Sequence, residues 1–294
     1  MLSRRLRVRV LNQSNKTGKA TGEIVPPERQ SSELPSGSAS TKLLQGSFTH
    51  DAGMEAAAVL VAHLFAQSDH NIPGVSYAVA YRLAEIYSGG DIVDVYQFDN
   101  DAVSLSIADI SGKGAEAAVH AALIKYGLRA YSSHGLTPEK SMRALDRLYL
   151  ENSTFENSES FATVFLGTVD PRRRTLTYSS AGHEPVVVLH PHLSPKVLPP
   201  TAPLIGVFED QHHLFRQETL ELWPGSLLLT TTDGVTEARN EYGECYGMRR
   251  LLECVTRYRD AEPSSIVDAV ISDVQHFSRM PWRDDVAILA ARFP

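Results

Sequence analysis

Cysteine is scarce in this chain. Only Cys245 and Cys254 occur among 294 residues, so a disulfide framework is excluded, and two thiols alone cannot close a zinc site. Both read as reduced, inert thiols. Long apolar runs are missing too: none reaches the roughly 20 residues that a membrane-spanning helix needs. Residues 1–11 begin basic but lack the apolar core of a secretory signal. The expectation is a cytoplasmic chain with no membrane partner. Positive charge is sparse beyond the first fifty residues. Residues 1–50 hold eight Lys/Arg against three Asp/Glu, so of the net charge of -7 the remainder carries -12. An acidic body argues against nucleic acid as the main partner. Acidic groups gathered near one site would instead need cations.

Hydrophobic residues at 43% and charged residues at 21% mark a globular chain. Its length suits one large domain or two small ones. Residues 12–49 are rich in Ser, Thr, Gly, Pro, Asn, Gln and Lys, with few large apolar groups. Such a segment cannot offset its ordering entropy, so 1–50 is expected to be a flexible basic tail. The alternation at 6–11 allows a stray strand, with a solvated basic arm preferred. Residues 53–67 are Ala- and Leu-rich like a buried helix, and 51–71 reads as helix and linker.

Alternating or continuous apolar stretches predict strands at 75–84, 91–98, 103–110, 186–189, 227–231 and 286–291. A hairpin is expected from 162–170 to 175–180 across Asp170-Pro171-Arg172-Arg173. Helices are expected at 114–131, at 137–150 with Thr137 as cap and Pro138 in the first turn, and at 263–277. There is no regular βαβ alternation and no internal repeat. This pattern favours α+β layering over a doubly wound parallel sheet.

Four acidic turns stand at strand ends or glycine-rich bends. They are Gly89-Gly90-Asp91, Asp109-Ile110-Ser111-Gly112, Thr232-Asp233-Gly234 and Arg283-Asp284-Asp285. Any one alone reads as a plain turn, since Asp and Gly are ordinary turn residues. Together they are more. Carboxylates beside apolar strands are half-buried, and buried ionised carboxylates need partners or metal. Nearby cations are few: Lys113 and Arg283. Four converging carboxylates would be neutralised by two divalent ions, and all-oxygen donors suit Mg²⁺ or Mn²⁺. Two such metals lower the pKa of a shared water and make it a nucleophile for phosphate esters. Glycine permits the positive φ and tight bends that let a carboxylate or carbonyl face a metal.

The strings SGGDIVDVYQF (88–98), SIADISGKGAEAAVHAALIK (106–125), FATVFLGTVD (161–170), YSSAGHEPVVVL (178–189), LIGV (204–207), WPGSLLLTTTDGVTEARNEYGECYG (223–247) and RDDVAILAAR (283–292) resemble the SpoIIE-type branch of the PPM phosphatase superfamily. Several motifs in fixed order are far more specific than one. The resemblance runs from about 72 to 293 and makes 72–294 the catalytic domain. It implies a four-layer αββα sandwich of two antiparallel sheets flanked by helices. It implies a protein serine/threonine phosphatase with two Mn²⁺ or Mg²⁺ ions. Asp91, Asp109 and the backbone carbonyl of Ile110 resemble the ligands of one half of the site, Asp233 and Asp284 those of the other. Asp285 resembles a supporting residue, with its role and that of Asp284 open to exchange. Asp94 is either a second supporting residue or a strand-end cap. His183 is preferred as a structural histidine, with general acid as the alternative. The chain departs from the family at Ile92-Val93, where aromatics are common, and at Asp146, where Asn is usual. The implied partner is a phosphorylated regulatory protein of the anti-sigma-antagonist type in bacterial partner switching. Residues 53–67 are expected to pack on the catalytic domain or to form a homodimer. The rival readings are a regulatory binding module with a weak metal site, and a scaffold using the tail as an arm.

Overall fold

The structure is a computed structural model that describes residues 9–10, 72, 74–82, 90–98, 101–112, 114–153, 160–208, 211–280 and 282–294. Apart from Arg9–Val10, the tail expected at 1–50 lies outside the described residues. So does the whole of 51–71, with the helix and dimer segment expected at 53–67, and so do Gly89 and Lys113.

The chain forms two sheets. One runs β1 (Arg9–Val10), β2 (Ser76–Arg82), β11 (Val286–Arg292), β10 (Leu227–Thr231), β7 (Val186–Leu189), β8 (Lys196–Leu198). The other runs β3 (Ile92–Gln97), β4 (Val103–Ile110), β5 (Ala162–Asp170), β6 (Thr175–Ala181), β9 (Glu218–Glu221). All pairings are antiparallel except the two-residue β1, which lies parallel on β2. So part of the basic arm preferred for 6–11 adds to a sheet edge.

Alternation along each strand sorts the core into three layers. Val103, Leu105 and Ile107 of β4 face Val79 and Leu289 of the opposite sheet. Ala108 and Ile110 face the other way, onto α1 (Gly114–Ser133) and α2 (Pro138–Ser153). In the first sheet, Ile288 and Ala290 face α5 (Pro263–Ser278), which packs beside α4 (Gly247–Arg257). The result is helix pair, sheet, sheet, helix pair, the αββα sandwich that the resemblance implied. No helix among the described residues is long and apolar enough to cross a membrane.

Two details place the loops. Asp170 Oδ1 accepts the N–H groups of Arg172 and Arg173, both at 2.9 Å, closing the β5–β6 turn. Asp146 of α2 is fully buried. It accepts Gly206 N–H at 2.9 Å and Gln211 Nε2 at 3.0 Å, and its Oδ2 lies 2.9 Å from His212 Nδ1. The carboxylate at this departure from the family thus ties the β8–β9 connection to α2.

Candidate metal centre

The acidic turns meet because strand register brings them to one end of the sandwich. Ile92 pairs with Ala108, so the preceding Asp91 stands beside Asp109. Both share the parity of Val93 and Ile107, which face the opposite sheet. On that sheet Thr231 pairs with Ile288, and Thr232 N–H donates to Ala287 O at 3.0 Å. Asp233, which opens the one-turn helix α3 (Asp233–Thr236), therefore lies next to Asp284-Asp285 at the start of β11.

Two glycines let these turns close. A Cβ on Gly90 would stand 2.5 Å from the Ile110 carbonyl oxygen, and one on Gly234 would fall on the Asp285 carbonyl oxygen. Neither has a positive φ; among the described glycines of the four acidic turns only Gly112 does, at φ 100°. The expected left-handed role thus holds at Gly112, while Gly90 and Gly234 serve close backbone approach.

The carboxylates act on one another. Burial pushes the Asp91 carboxyl well above its usual range; the charge of Asp109 adds to this, and the Thr232 hydroxyl opposes it. Burial, then Asp233, Asp284 and Asp285, push Asp109 up to about 7. Burial, then Asp284, Glu237 and Glu184, push Asp233 up to about 6. Desolvated like charges favour protonation, and a cation between them reverses this.

Among the described residues, no group of three or more His, Cys, Asp or Glu side chains is arranged so that it could hold a metal ion. The donor set nevertheless fits hard cations in kind. It offers carboxylates from both sheets and the Ile110 carbonyl, held in a cradle that a side chain on Gly90 or Gly234 would fill.

The remaining site residues fall as follows. Asp285 is buried and Asp284 exposed, with Asp284 Oδ1 accepting Asp285 N–H at 2.9 Å. Asp94 requires a correction. It supports no metal ligand and caps no strand, because it sits three residues from Asp91 and so on the opposite face of β3. There it is fully buried, bound by Arg129 at 2.5 and 2.8 Å, with Lys125 Nζ at 3.6 Å, both from α1. His183 is buried, its Nδ1 2.9 Å from Thr163 Oγ1, and burial lowers it to about 3. A neutral imidazole of that kind is a poor general acid near pH 7. Two nearby groups escaped the sequence reading. Glu184, directly after His183, accepts Thr236 Oγ1 at 3.0 Å and raises Asp233. Thr232 donates to Asp91 Oδ2 at 2.7 Å.

The fold is that of PPM-type phosphatase domains. The SiaA-PP2C domain of Pseudomonas aeruginosa matches with a TM-score of 0.68 and 20% identity, over 83% of this chain and 96% of that one. A crystal structure of RsbX in complex with magnesium matches at a TM-score of 0.56 and 18% identity, over 78% of this chain and 99% of that one. The model of the Stage II sporulation protein E (SpoIIE) family matches residues 99–294, and the chain belongs to that family. The phosphoserine phosphatase RsbU of Bacillus subtilis (strain 168) is 29% identical over 209 residues, covering 68% of this chain and 58% of RsbU. The chain spans between 35% and 58% of the length of three curated relatives that it matches.

Proposed function

We propose that this chain is a metal-dependent phosphoserine/phosphothreonine protein phosphatase. The observation that carries the reading is the delivery of Asp91 and Asp109 from one sheet, and Asp233 and Asp284 from the other, to a common end of the sandwich, where burial and neighbouring carboxylates push Asp91, Asp109 and Asp233 up. Family membership and the name of RsbU support it.

In this reading Asp91, Asp109 and the Ile110 carbonyl hold one side of a two-cation site, and Asp233 and Asp284 the other. Asp285 supports them from its buried position. Manganese or magnesium held there would supply neutralisation of the phosphoryl oxygens and a bound water of lowered pKa. The chain's own groups orient and desolvate. Partial burial of Asp109 and Asp233 strengthens their hold on a cation relative to open water. A thiol route is disfavoured, since Cys254 is buried on α4 and pushed up to about 11. The substrate is a phosphorylated regulatory protein of bacterial partner switching.

The test is phosphate release from p-nitrophenyl phosphate and from phosphoserine proteins of the same cell. It is run with Mn²⁺ or Mg²⁺, with chelator, and with Asp109→Asn. Hydrolysis that requires metal and Asp109 is expected. Binding of the phosphoprotein without metal-dependent turnover would instead favour a regulatory module.

A further inference from the structure

We infer that Thr232 is a positioning residue that locks Asp91 in place and couples the two halves of the metal centre, an inference resting on the metal-dependent reading above. Asp91 sits at the start of β3, the edge strand of its sheet. A hydrogen bond from the other sheet reaches it. Thr232 is fully buried between β10 and α3. Its Oγ1 accepts Ala287 N–H at 2.9 Å. The same Oγ1 lies 2.7 Å from Asp91 Oδ2.

These two contacts fix the direction of the hydrogen bond. The Ala287 N–H occupies a lone pair of the hydroxyl oxygen, and Asp91 in the ionised form that meets a cation can only accept. The single hydroxyl proton therefore goes to Asp91. The relay runs from the backbone of β11, through Thr232, to a carboxylate of the opposite sheet. The outer torsion of an aspartate is otherwise broad. Thr232 holds the Asp91 carboxylate in one orientation before any cation arrives, so metal binding does not have to order it. The same bond sets the spacing of Asp91 from Asp233, the residue after Thr232. Outer-shell hydrogen bonds of this kind commonly tune metal affinity by tenfold or more.

The experiment is calorimetric titration of the full apo chain with Mn²⁺ in wild type, Thr232→Val and Thr232→Ser, with thermal unfolding of each apo protein. Valine keeps the shape and removes the donor; serine keeps the donor. Thr232→Val should bind Mn²⁺ at least about tenfold more weakly, and Thr232→Ser within about threefold of wild type. A merely structural threonine would lower the apo Tm in the valine variant and leave Mn²⁺ affinity unchanged. Equal affinity in wild type and Thr232→Val, or a serine variant as weak as valine, overturns the inference. If the valine variant does not fold, Thr232→Cys, with a weak donor of similar size, must fall between serine and complete loss; wild-type affinity there overturns it too. Absence of Mn²⁺ binding by the wild type itself would overturn the metal reading and this inference together, a result distinct from the others.

Discussion

The phenol of Tyr81 holds both backbone polar groups of Val93. Its oxygen accepts Val93 N–H at 2.6 Å and its proton goes to Val93 O at 2.8 Å. Tyr81 belongs to β2, Val93 to the edge strand β3 of the other sheet. The bond satisfies an edge that would otherwise offer free N–H and C=O groups, two residues from Asp91. Tyr81→Phe keeps the ring and strands a buried donor and acceptor. Loss of about 2–3 kcal/mol of stability in urea titrations is expected. A change under about 0.5 kcal/mol would mean that water replaces the phenol there.

Asp94 gives a contrasting expectation. Its partners are Arg129 and Lys125, on the face of β3 away from the metal centre. Removing one member of a buried ion pair leaves uncompensated charge, at a cost of about 3–5 kcal/mol. Asp94→Asn should therefore unfold at markedly lower temperature. Its Mn²⁺ affinity, measured on the folded protein in the cold, should stay close to wild type. An Asp94→Asn protein of normal stability with weakened metal binding would restore the supporting role that the sequence suggested.

That misplacement shows what the sequence could and could not disclose. The strands at 103–110 and 162–170 were legible because large apolar groups alternate on them, and the acidic turns were legible because Asp and Gly flank those strands in order. The position of Asp94 was legible as well, since three residues from Asp91 along a strand means the opposite face. β8 and β9 were not legible. Lys196, Val197, Glu218 and Glu221 are exposed edge residues, so no apolar alternation marks them. α4 carried a signal that went unread, the stripe Leu251, Cys254 and Val255 at helical spacing. The role of Thr232 depends on contact between two sheets 141 residues apart in sequence, which no local pattern contains.

Gly234 offers a test of the cradle. A methyl group there would collide with the Asp285 carbonyl and crowd Val286. Backbone cannot retreat as a side-chain tip can, so β10–α3 and β11 must separate. Gly234→Ala should lose about 1–3 kcal/mol or more and should lose Mn²⁺ binding as well. Gly112→Ala meets no atom within 4 Å and carries only the backbone strain of its positive φ, about 1 kcal/mol. Equal losses in the two variants, by calorimetry and thermal melts, would count against close approach as the reason for Gly234.

Asp109→Asn should separate stability from function. The Asp109 carboxyl is pushed up to about 7 by burial and by Asp233, Asp284 and Asp285. The folded apo chain therefore retains a proton that the unfolded chain releases near pH 4. Stability is lost as pH rises through that window. Asparagine carries no such charge. At pH 8 with chelator, Asp109→Asn should be more stable than wild type by about 2 kcal/mol. Adding Mn²⁺ should stabilise wild type and do little for the variant. A less stable apo variant would show that the Asp109 charge is already compensated without metal.

His183 shifts stability in the opposite direction on acidification. Burial lowers its folded pKa to about 3, against 6.5 for the free side chain. Above pH 6.5 both states are neutral and nothing is lost. As pH falls below 6.5 the unfolded chain takes up a proton that the folded chain refuses, so stability declines by up to about 1.4 kcal/mol per pH unit until about pH 3. The site carboxylates respond with the opposite sign, so wild type alone mixes the two effects. The difference between wild type and His183→Asn isolates the histidine, because asparagine does not titrate. Measured by urea unfolding, wild type should lose about 2 kcal/mol relative to that variant between pH 7 and pH 5. A constant gap would place the folded imidazole near its ordinary pKa, and general acid catalysis by His183 would again be open to it.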